Sequence, residues 1–249
     1  MKVLSIIIPV YNEQTTIYEV IEKVNAVELP NGITKNIVVV DDQSSDNSLT
    51  RVKDYDRDFP GIITVLEHKV NKGKGAGIRS SLSACIGDYI IIQDADLELD
   101  PNEYNNLIAP ILSGEANIVF GSRFLNNNKA DQGSFLSRTA NKFLTGLSNL
   151  AFRTKLTDME TCYKLVPSSF FKHMILKEDR FGFEPEITAK LAKIPSARFQ
   201  EIPITYIPRT TDAGKKIGWK DGVRATYCIV KYGWFSPKRK SFSKPVDSL

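Results

Sequence analysis

The sequence predicts an α/β fold in a single domain, with a mostly parallel central sheet flanked by helices. Three observations lead to this prediction. Short apolar runs of strand length alternate with amphipathic helical patterns through the first half of the chain. These runs are predominantly apolar and do not alternate with polar residues, as expected for parallel strands that are buried on both faces. With 249 residues, the chain is long enough for one large domain with a substantial core.

The first half of the chain is predicted to consist of strand and helix units in alternation. The predicted strands cover residues 3–10, 36–42, 62–68 and 88–94. The predicted helices between them cover residues 14–27, 46–57 and 74–85. Helices of this length can connect neighbouring parallel strands by right-handed crossovers.

The second half of the chain is less regular. After a predicted helix at 101–112 and a strand at 117–122, a polar loop with Asn126, Asn127, Asn128 and Gly133 is a candidate lid. Further predicted elements are helices at 136–151, 167–175, 184–193 and 219–231 and a strand at about 198–206. We therefore expect one folded domain at residues 1–231, followed by a C-terminal tail at 232–249.

Composition excludes several classes of protein. Apolar residues make up 42% of the chain and charged residues 25%, which is ordinary for a globular domain. No stretch reaches the roughly 20 apolar residues that span a bilayer. The first apolar run is broken by Pro9, so we interpret it as a strand and not as a signal peptide. Three widely spaced cysteines and two histidines form no zinc-type motif, and we expect a reducing, cytoplasmic location.

Positive charge is concentrated near the C-terminus. The net charge is +4, but residues 209–249 hold ten Lys or Arg against three Asp or Glu, which leaves −3 for the first 208 residues. The tail combines Trp234, Phe235 and Phe242 with basic residues, which suits an anionic membrane surface, where each cation contributes about 1 kcal/mol. A solvated chain end is the alternative. We expect peripheral attachment to the cytoplasmic face of a membrane and no nucleic-acid partner.

Polar side chains follow the first two predicted strands. Ligands of open α/β sheets bind beyond the carboxyl ends of the strands, so these positions are candidates for a site. The first strand ends near Pro9, Tyr11 and Glu13 and lacks the glycine fingerprint of dinucleotide-binding proteins. The second ends in Asp41 and Asp42, whose carboxylates can accept hydrogen bonds from a ribose or a base.

The segment NKGKGAGIRSS (71–81) places three glycines and two lysines where a loop enters a helix. Backbone N–H groups at a helix start attract anions, and nearby cations such as Lys74 and Arg79 add to that attraction. The alternative is that these glycines serve only a tight turn.

The segment QDADLELDP (93–101) carries the strongest local signal. A buried apolar strand ends in Asp94 and Asp96, and Glu98 follows. Two carboxylates at a strand end can converge on Mg²⁺, which needs one or two carboxylates and otherwise takes water and phosphate oxygens. The sequence therefore predicts a metal site that can bridge a diphosphate.

The acidic residues in these segments have two other interpretations, a calcium-binding loop and helix caps. A calcium loop would need glycine where Leu99 stands and glutamate where Asn105 stands. Asp100 precedes Pro101 and can cap the following helix, as Asp46 can cap the helix at 46–57. Capping explains Asp100 but does not explain Asp94.

Five segments in this order resemble glycosyl transferase family 2: PVYNE (9–13), VDDQSSD (40–46), NKGKGAGIR (71–79), QDADLE (93–98) and GSR (121–123). The resemblance covers about residues 1–225. Within the family, the chain is similar to polyprenyl-phosphate sugar synthases of the dolichol-phosphate mannose synthase kind. The resemblance implies a GT-A fold, an inverting mechanism and a requirement for Mg²⁺ or Mn²⁺.

The resemblance also implies roles for individual residues. The nucleotide-sugar site comprises Pro9, Tyr11, Glu13, Asp41, Asp42, Lys74, Arg79, Asp94, Ala95 and Asp96. The metal ligands are Asp94 and Asp96, with Glu98 as a third ligand or an orienting group. The acceptor phosphate is held by Arg123, Ser137, Arg138, Arg209, Lys215 and Lys216. Surface salt bridges are the alternative for Arg123 and Arg138, and solvated charge is the alternative for Lys215 and Lys216.

The acceptor determines whether a general base is required. A phosphate monoester with a second pKa of about 6 is mostly a dianion at neutral pH and needs no base, whereas a sugar hydroxyl needs one. Asp158 is either that base or a group that orders the acceptor site, and it joins Asp96, Arg123 and Arg138 as a candidate catalytic residue.

We expect transfer of a hexosyl group from a GDP- or UDP-sugar to a dolichyl or undecaprenyl phosphate. The alternatives are a family 2 enzyme that uses a sugar hydroxyl in cell-surface polysaccharide synthesis, and a sugar-nucleotide binder without activity. A sugar-nucleotide pyrophosphorylase is disfavoured, because PVYNEQTT (9–16) contains no glycine-rich triphosphate loop.

Overall fold

A computed structural model describes residues 1–125, 135–208 and 219–245 of the chain. The first half alternates strands and helices: β1 (Val3–Val10), α1 (Ile17–Ala26), β2 (Thr34–Asp41), α2 (Ser48–Asp58), β3 (Ile63–Glu67), α3 (Lys74–Ser81) and β4 (Tyr89–Ile92). This confirms the predicted alternation. The third helix is shorter than predicted, because the chain turns after Ser81 with a hydrogen bond from Ala84 N to Ser81 O.

The second half contains more helix than strand. Its elements are α4 (Tyr104–Leu112), β5 (Ile118–Ser122), α5 (Phe135–Phe152), β6 (Lys164–Pro167), α6 (Ser168–His173), α7 (Phe183–Leu191), β7 (Phe199–Pro203) and α8 (Trp219–Val230). The strand β6 lies where the sequence predicts none. It is only four residues long and begins with a lysine, although all four residues are buried.

The seven strands form one sheet in the order β3-β2-β1-β4-β6-β5-β7. Strands β1 to β4 are parallel to one another, and in this register Ile6 lies opposite both Ile37 and Ile91. Strand β6 runs antiparallel to β4 and β5, and β7 is parallel to β5. The sheet is therefore mostly parallel, as predicted.

Two apolar clusters stabilise the fold. The larger one packs helices against the sheet, and Ile6, Ile91 and Val119 within it are completely buried. The smaller one lies between α5, α7 and α8 and consists of Leu144, Phe152, Met159, Ala189, Ala225, Cys228, Ile229 and Tyr232. No helix in the described ranges is long and apolar enough to cross a membrane.

The end of the chain packs back onto the domain as far as it is described. After α8 come a π-helical turn (Lys231–Phe235) and a 3-10 turn (Lys238–Lys240). Phe242 is 5% exposed and forms an antiparallel bridge with Met174. Phe242 is therefore part of the core and not one of the membrane-facing aromatics expected from the sequence.

Candidate active site

The segments that follow β1, β2 and β4 meet at one edge of the sheet. The amide of Asp42 donates to Val10 O at 2.8 Å, and the amide of Gln93 donates to Ile7 O at 2.9 Å. The hydroxyl of Thr16 donates to Ala95 O at 2.6 Å, which ties the start of α1 to the loop after β4. The predicted site residues on these three segments are thus neighbours, as the parallel order of the strands requires.

Asp41 lies at the end of β2 with one carboxylate oxygen lacking a partner. Its Oδ2 accepts a hydrogen bond from Ser44 N at 3.0 Å. Its Oδ1 is buried and has no hydrogen-bond partner within the described part of the chain. A buried carboxylate oxygen without a partner is costly, so this atom is suited to accept a hydrogen bond from a bound ligand.

Asp42 fixes the loop that leads into α3. Its Oδ1 accepts from Lys72 N at 2.9 Å and lies 2.6 Å from His68 Nδ1. Its Oδ2 accepts from Gly73 N at 2.6 Å. The carboxylate is only 5% exposed, and these contacts give it a structural duty in addition to any contact with a nucleotide.

The glycines at the start of α3 permit close packing against the segment before α7. A Cβ on Gly73 would lie 2.4 Å from Asp179 O, and one on Gly75 would lie 2.2 Å from Glu178 O. The amide of Ala76 already donates to Asp179 O at 3.1 Å. The close approach of two backbone segments therefore explains these glycines. One backbone amide at this helix start, that of Ala76, already has a hydrogen-bond partner.

Two cations of α3 point in different directions. Arg79 forms an ion pair with Asp179 at 2.6 Å on the surface. Lys74 Nζ lies 2.7 Å from Asp94 Oδ1 and 3.5 Å from Glu184 Oε1. Burial lowers the pKa of Lys74, but Asp94 and other negative neighbours raise it well above its ordinary value, so this lysine stays charged.

Asp94 and Asp96 follow β4 and remain partly exposed. The side chain of Asp94 is 28% exposed, and Asp96 Oδ1 accepts from Glu98 N at 3.2 Å. Glu98 Oε2 accepts a hydrogen bond from the hydroxyl of Tyr206 at 2.8 Å. The loop also includes the buried Ala95.

The donor set at this strand end suits a hard cation. Across residues 1–125, 135–208 and 219–245, no group of three or more His, Cys, Asp or Glu side chains is arranged to hold a metal. Mg²⁺ requires only one or two carboxylates, with water and phosphate oxygens completing its shell. Asp94 and Asp96 meet that requirement, and the hydrogen bond to Tyr206 gives Glu98 an orienting contact.

Arg123, which follows β5, is held by a buried carboxylate. Its Nε lies 2.7 Å from Asp158 Oδ2, its Nη2 lies 2.8 Å from Asp158 Oδ1, and its amide also donates to Oδ2 at 3.1 Å. Asn141 Nδ2 donates to Asp158 Oδ1 at 3.2 Å. Burial raises the pKa of Asp158, but Arg123 lowers it by more, so the net shift is downward. Asp158 is thus an ionised partner that orients Arg123.

Aromatic contacts connect Arg123 to the loop that follows β4. The guanidinium carbon lies 5.1 Å from the centroid of the Tyr206 ring, and the hydroxyl of Tyr206 binds Glu98. Ser137 and Arg138 are partly buried near the start of α5, one turn before Asn141. Arg209, Lys215, Lys216 and the candidate lid at 126–133 lie outside the described residues.

A buried charge network links the two sides of the site, and most of its residues are not predicted from the sequence. Lys164 at the start of β6 is completely buried, and its ammonium donates to Glu184 Oε2. Glu184 also faces Lys74, which binds Asp94. A lysine within an apolar stretch is the one sequence signal of this network, because a buried charge needs a partner.

Glu160 lies beside this network. Burial and the negative charge of Glu184 raise its pKa to about 7. Its Oε1 is buried and has no hydrogen-bond partner among the described residues. The positive charges of Lys164 and Arg123 lower the pKa in turn. The buried, unpaired oxygen makes Glu160 a candidate site residue that was not predicted.

Comparison with known proteins identifies relatives of this chain. Residues 5–175 match the model of glycosyl transferase family 2. The chain is 24% identical over 227 residues to dodecaprenyl-phosphate galacturonate synthase of Rhizobium johnstonii, covering 91% of this chain and 64% of that protein. It is 31% identical over 143 residues to dolichol-phosphate mannosyltransferase of Pyrococcus furiosus, covering 57% and 39%. It is thus considerably shorter than both curated relatives.

Solved structures show the same architecture. Glucosyl-3-phosphoglycerate synthase from Mycobacterium tuberculosis, in complex with Mn²⁺, UDP-glucose and phosphoglyceric acid, superposes with a TM-score of 0.71 at 16% identity. The superposition covers 95% of this chain and 81% of that structure. The same synthase has also been solved with Mg²⁺ and UDP, with a TM-score of 0.68. At this identity the likeness establishes the fold, which confirms the predicted GT-A architecture.

Proposed function

The chain belongs to glycosyl transferase family 2, and we propose that it transfers a hexosyl group from a nucleoside-diphosphate sugar to a polyprenyl phosphate with inversion at the anomeric carbon. The observation that carries this proposal is the Arg123–Asp158 pair, which presents a fixed guanidinium beside the metal-binding loop. The curated relatives support it, since their names specify dodecaprenyl and dolichol phosphates.

On the donor side, Asp94 and Asp96 would hold Mg²⁺ or Mn²⁺ against the diphosphate. The metal would supply charge stabilisation for the leaving nucleoside diphosphate. Lys74, which lies 2.7 Å from Asp94, adds a second cation at the same place. The unpaired Oδ1 of Asp41 would accept a hydrogen bond from the nucleoside. Both GDP- and UDP-sugars satisfy this chemistry.

On the acceptor side, Arg123 would bind the phosphate of the lipid. Asp158 holds the Nε–Nη2 edge of the guanidinium, so the phosphate would be bound by the remaining N–H groups on Nη1 and Nη2, and the charge of Arg123 is permanent. Ser137, Arg138, Arg209, Lys215 and Lys216 are proposed to complete this anion site. A phosphate oxygen, already ionised at neutral pH, would attack the anomeric carbon from the face opposite the diphosphate. The bond from that carbon to the diphosphate oxygen breaks as the new bond forms.

Asp158 acts as a positioning residue in this scheme. It is completely buried, and both of its oxygens accept hydrogen bonds from Arg123. Its lowered pKa makes it a poor proton acceptor. No general base is required when the acceptor is a phosphate dianion.

A second candidate function is transfer to a sugar hydroxyl, and Glu160 favours it. A carboxylate with a pKa of about 7 is well matched to general-base catalysis at neutral pH. Its buried, unpaired Oε1 is suited to accept a proton from a bound hydroxyl. In this scheme Glu160, and not Asp158, would be the base.

The test compares acceptors and two variants. The chain is incubated with UDP- or GDP-hexoses, Mn²⁺ or Mg²⁺, and either polyprenyl phosphate in detergent or free sugars, and both nucleoside diphosphate and glycosylated product are measured. We expect transfer to the lipid phosphate. Arg123→Lys retains the charge but loses the fork, so transfer should fall on the order of 100-fold, while exposed Arg153→Lys serves as control.

The outcome separates the candidates. Transfer to free sugars alone, abolished by Glu160→Gln, would replace the proposal with the second function. Binding of the nucleotide sugar without metal-dependent release of nucleoside diphosphate to any acceptor would indicate a non-catalytic binder.

A further inference from the structure

Helix α5 is apolar on two opposite faces. Its buried face includes Leu144 and Phe152, which belong to the smaller core cluster. Its opposite face carries Phe143, which is 63% exposed, and Leu150, which is 72% exposed. These two residues are seven apart and so lie on the same side of the helix. A helix that packs against the protein on one side only normally has a polar face toward the solvent.

Helix α8 and the turn after it repeat this arrangement. The buried side of α8 carries Ala225, Cys228 and Ile229. On its outer side Val223 and Tyr227, four residues apart, are 61% and 52% exposed. In the π-helical turn that follows, Trp234 and Phe235 are 52% and 78% exposed.

These exposed residues belong to elements that pack together. Helices α5 and α8 share the smaller core cluster. A Cβ on Gly233 would lie 2.7 Å from Ala151 Cβ, which places Trp234 beside the end of α5 that carries Leu150. We name Phe143, Leu150, Val223, Tyr227, Trp234 and Phe235 together the docking face.

The elements that carry the docking face are strongly basic. Residues 135–152 and 219–245 contain nine Lys or Arg and one acidic residue, Asp221. Two of the cations lie over the Tyr227 ring, with Arg224 at 5.1 Å and Lys231 at 5.5 Å from its centroid, and both also form ion pairs with Glu178, which leaves the nine cations in clear excess over the acidic groups. A second copy of this face would bring like charge against like charge, which disfavours self-association. An anionic lipid surface complements both the charge and the exposed aromatic rings.

We propose that the docking face binds the surface of an anionic bilayer, with the apolar side chains inserted among the lipids and the surrounding cations at the headgroups. The proposal rests on the proposed function in one respect only, namely that a polyprenyl phosphate acceptor resides in a bilayer. Arg138 lies five residues before Phe143 on α5, about 8 Å along the helix. Docking through this face therefore holds the start of α5, and with it the acceptor side of the site, near the lipid.

Vesicle binding tests the proposal without any substrate. The full chain is sedimented with phosphatidylcholine vesicles and with vesicles that contain 30% phosphatidylglycerol, in the absence of nucleotide sugar and polyprenyl phosphate. We expect binding to the anionic vesicles only, weakened at high salt. The double variants Phe143→Ser/Leu150→Ser and Trp234→Ser/Phe235→Ser should each bind at least tenfold more weakly.

A matched control uses an exposed apolar residue elsewhere. Ile86, which is 75% exposed in the turn before β4, is changed to Ser, and binding should be unchanged. A second measurement needs no destabilising change. Trp219 is the only other tryptophan of the chain, so in Trp219→Phe the emission of Trp234 should shift to shorter wavelength when anionic vesicles are added.

Several results would overturn the proposal. These are absence of binding to anionic vesicles, an unshifted Trp234 emission, or equal weakening by Ile86→Ser. A wild-type dimer that the double variants convert to monomers would show that a second copy covers the face. Vesicle binding without transfer to lipid phosphate would contradict the proposed function alone, and transfer in detergent without vesicle binding would contradict the docking face alone.

Discussion

The two halves of the molecule hold their charged side chains in different ways. In the half that we propose binds the sugar donor, called the donor half and built on β1 to β4, backbone amides near the strand ends orient the carboxylates, as Ser44 N does for Asp41 and Glu98 N does for Asp96. In the half that we propose binds the acceptor, called the acceptor half and built on β5 to β7 and the helices around them, buried ion pairs join residues far apart in the sequence, as in Arg123 with Asp158. Because a buried charge is costly when it loses its partner, we expect the acceptor half to depend on these ion pairs for stability. The donor half also carries partly exposed carboxylates, such as Asp94 and Asp96.

Asp158→Asn should have the largest effect on stability. It leaves the mostly buried guanidinium of Arg123 without its counterion, and breaking a buried pair in this way costs about 3–5 kcal/mol. Urea unfolding at pH 7, followed by circular dichroism, measures the change. Asp54→Asn, in an exposed pair with Arg57, is the control and should cost less than about 1 kcal/mol. A similar loss in both variants would contradict the comparison.

Glu178→Gln should have the next largest effect. Glu178 is 3% exposed and accepts hydrogen bonds from Arg224 at 2.5 Å, Lys231 at 2.9 Å and the Tyr232 hydroxyl at 2.7 Å. It thereby ties the loop before α7 to α8 and to the turn that carries part of the docking face. We expect a loss of about 2 kcal/mol at pH 7, measured by urea unfolding.

The pH dependence of this loss provides a further check. Burial raises the pKa of Glu178, but the hydrogen bonds from Lys231, Tyr232 and Arg224 lower it by more, and the resulting pKa is about 2. A carboxylate with a depressed folded pKa stabilises the native state above its unfolded pKa near 4.5. The difference between wild type and Glu178→Gln should therefore shrink as the pH falls from 4.5 toward 2. Asp179→Asn, in a surface pair, should show little difference at any pH.

Glu160→Gln should have a smaller effect of opposite sign. The pKa of Glu160 is raised to about 7 in the folded state, so the unfolded chain loses this proton first as the pH rises. Wild-type stability should fall between pH 4.5 and pH 7 for this reason. The variant avoids the cost and should be about 1 kcal/mol more stable than wild type at pH 8. Thermal unfolding between pH 5 and 8 measures this, with exposed Glu115→Gln as control.

The same contrast explains what could be predicted from the sequence. Strands β1 to β4 are mostly apolar runs, and a short-range signal identified Asp100 as a cap, which accepts a hydrogen bond from Asn102 N. Asp46 accepts from Ser48 N, but the N-cap position of α2 is Asn47, so the prediction for Asp46 is one residue off. The acceptor half gave weaker signals. Lys164 interrupts the apolar pattern of β6, and its partner Glu184 lies 20 residues later.

The spacing of residues along the chain contains no information about ion-pair partners that are distant in the sequence. The pairing of Arg123 with Asp158 spans 35 residues, and a single sequence does not show that Asp158 serves the arginine and not a hydroxyl acceptor. The burial of Phe242 likewise depends on a bridge to Met174, which no local pattern indicates. The placement of side chains at strand ends was therefore predictable, and the tertiary ion pairs were not.

Asp96→Asn should have the smallest effect on stability and so tests the donor half. Asp96 is partly exposed, and a surface substitution of this kind changes the free energy of unfolding by less than about 0.5 kcal/mol. If Asp96 holds the metal, release of nucleoside diphosphate should nevertheless fall on the order of 100-fold, because charge on the leaving group loses its stabilisation. Titration of release against Mn²⁺ at fixed nucleotide sugar measures this loss. Glu98→Gln retains an oxygen that can accept from Tyr206 and should reduce release much less. A loss of 2 kcal/mol or more in Asp96→Asn would show that the donor half also depends on its charges for folding.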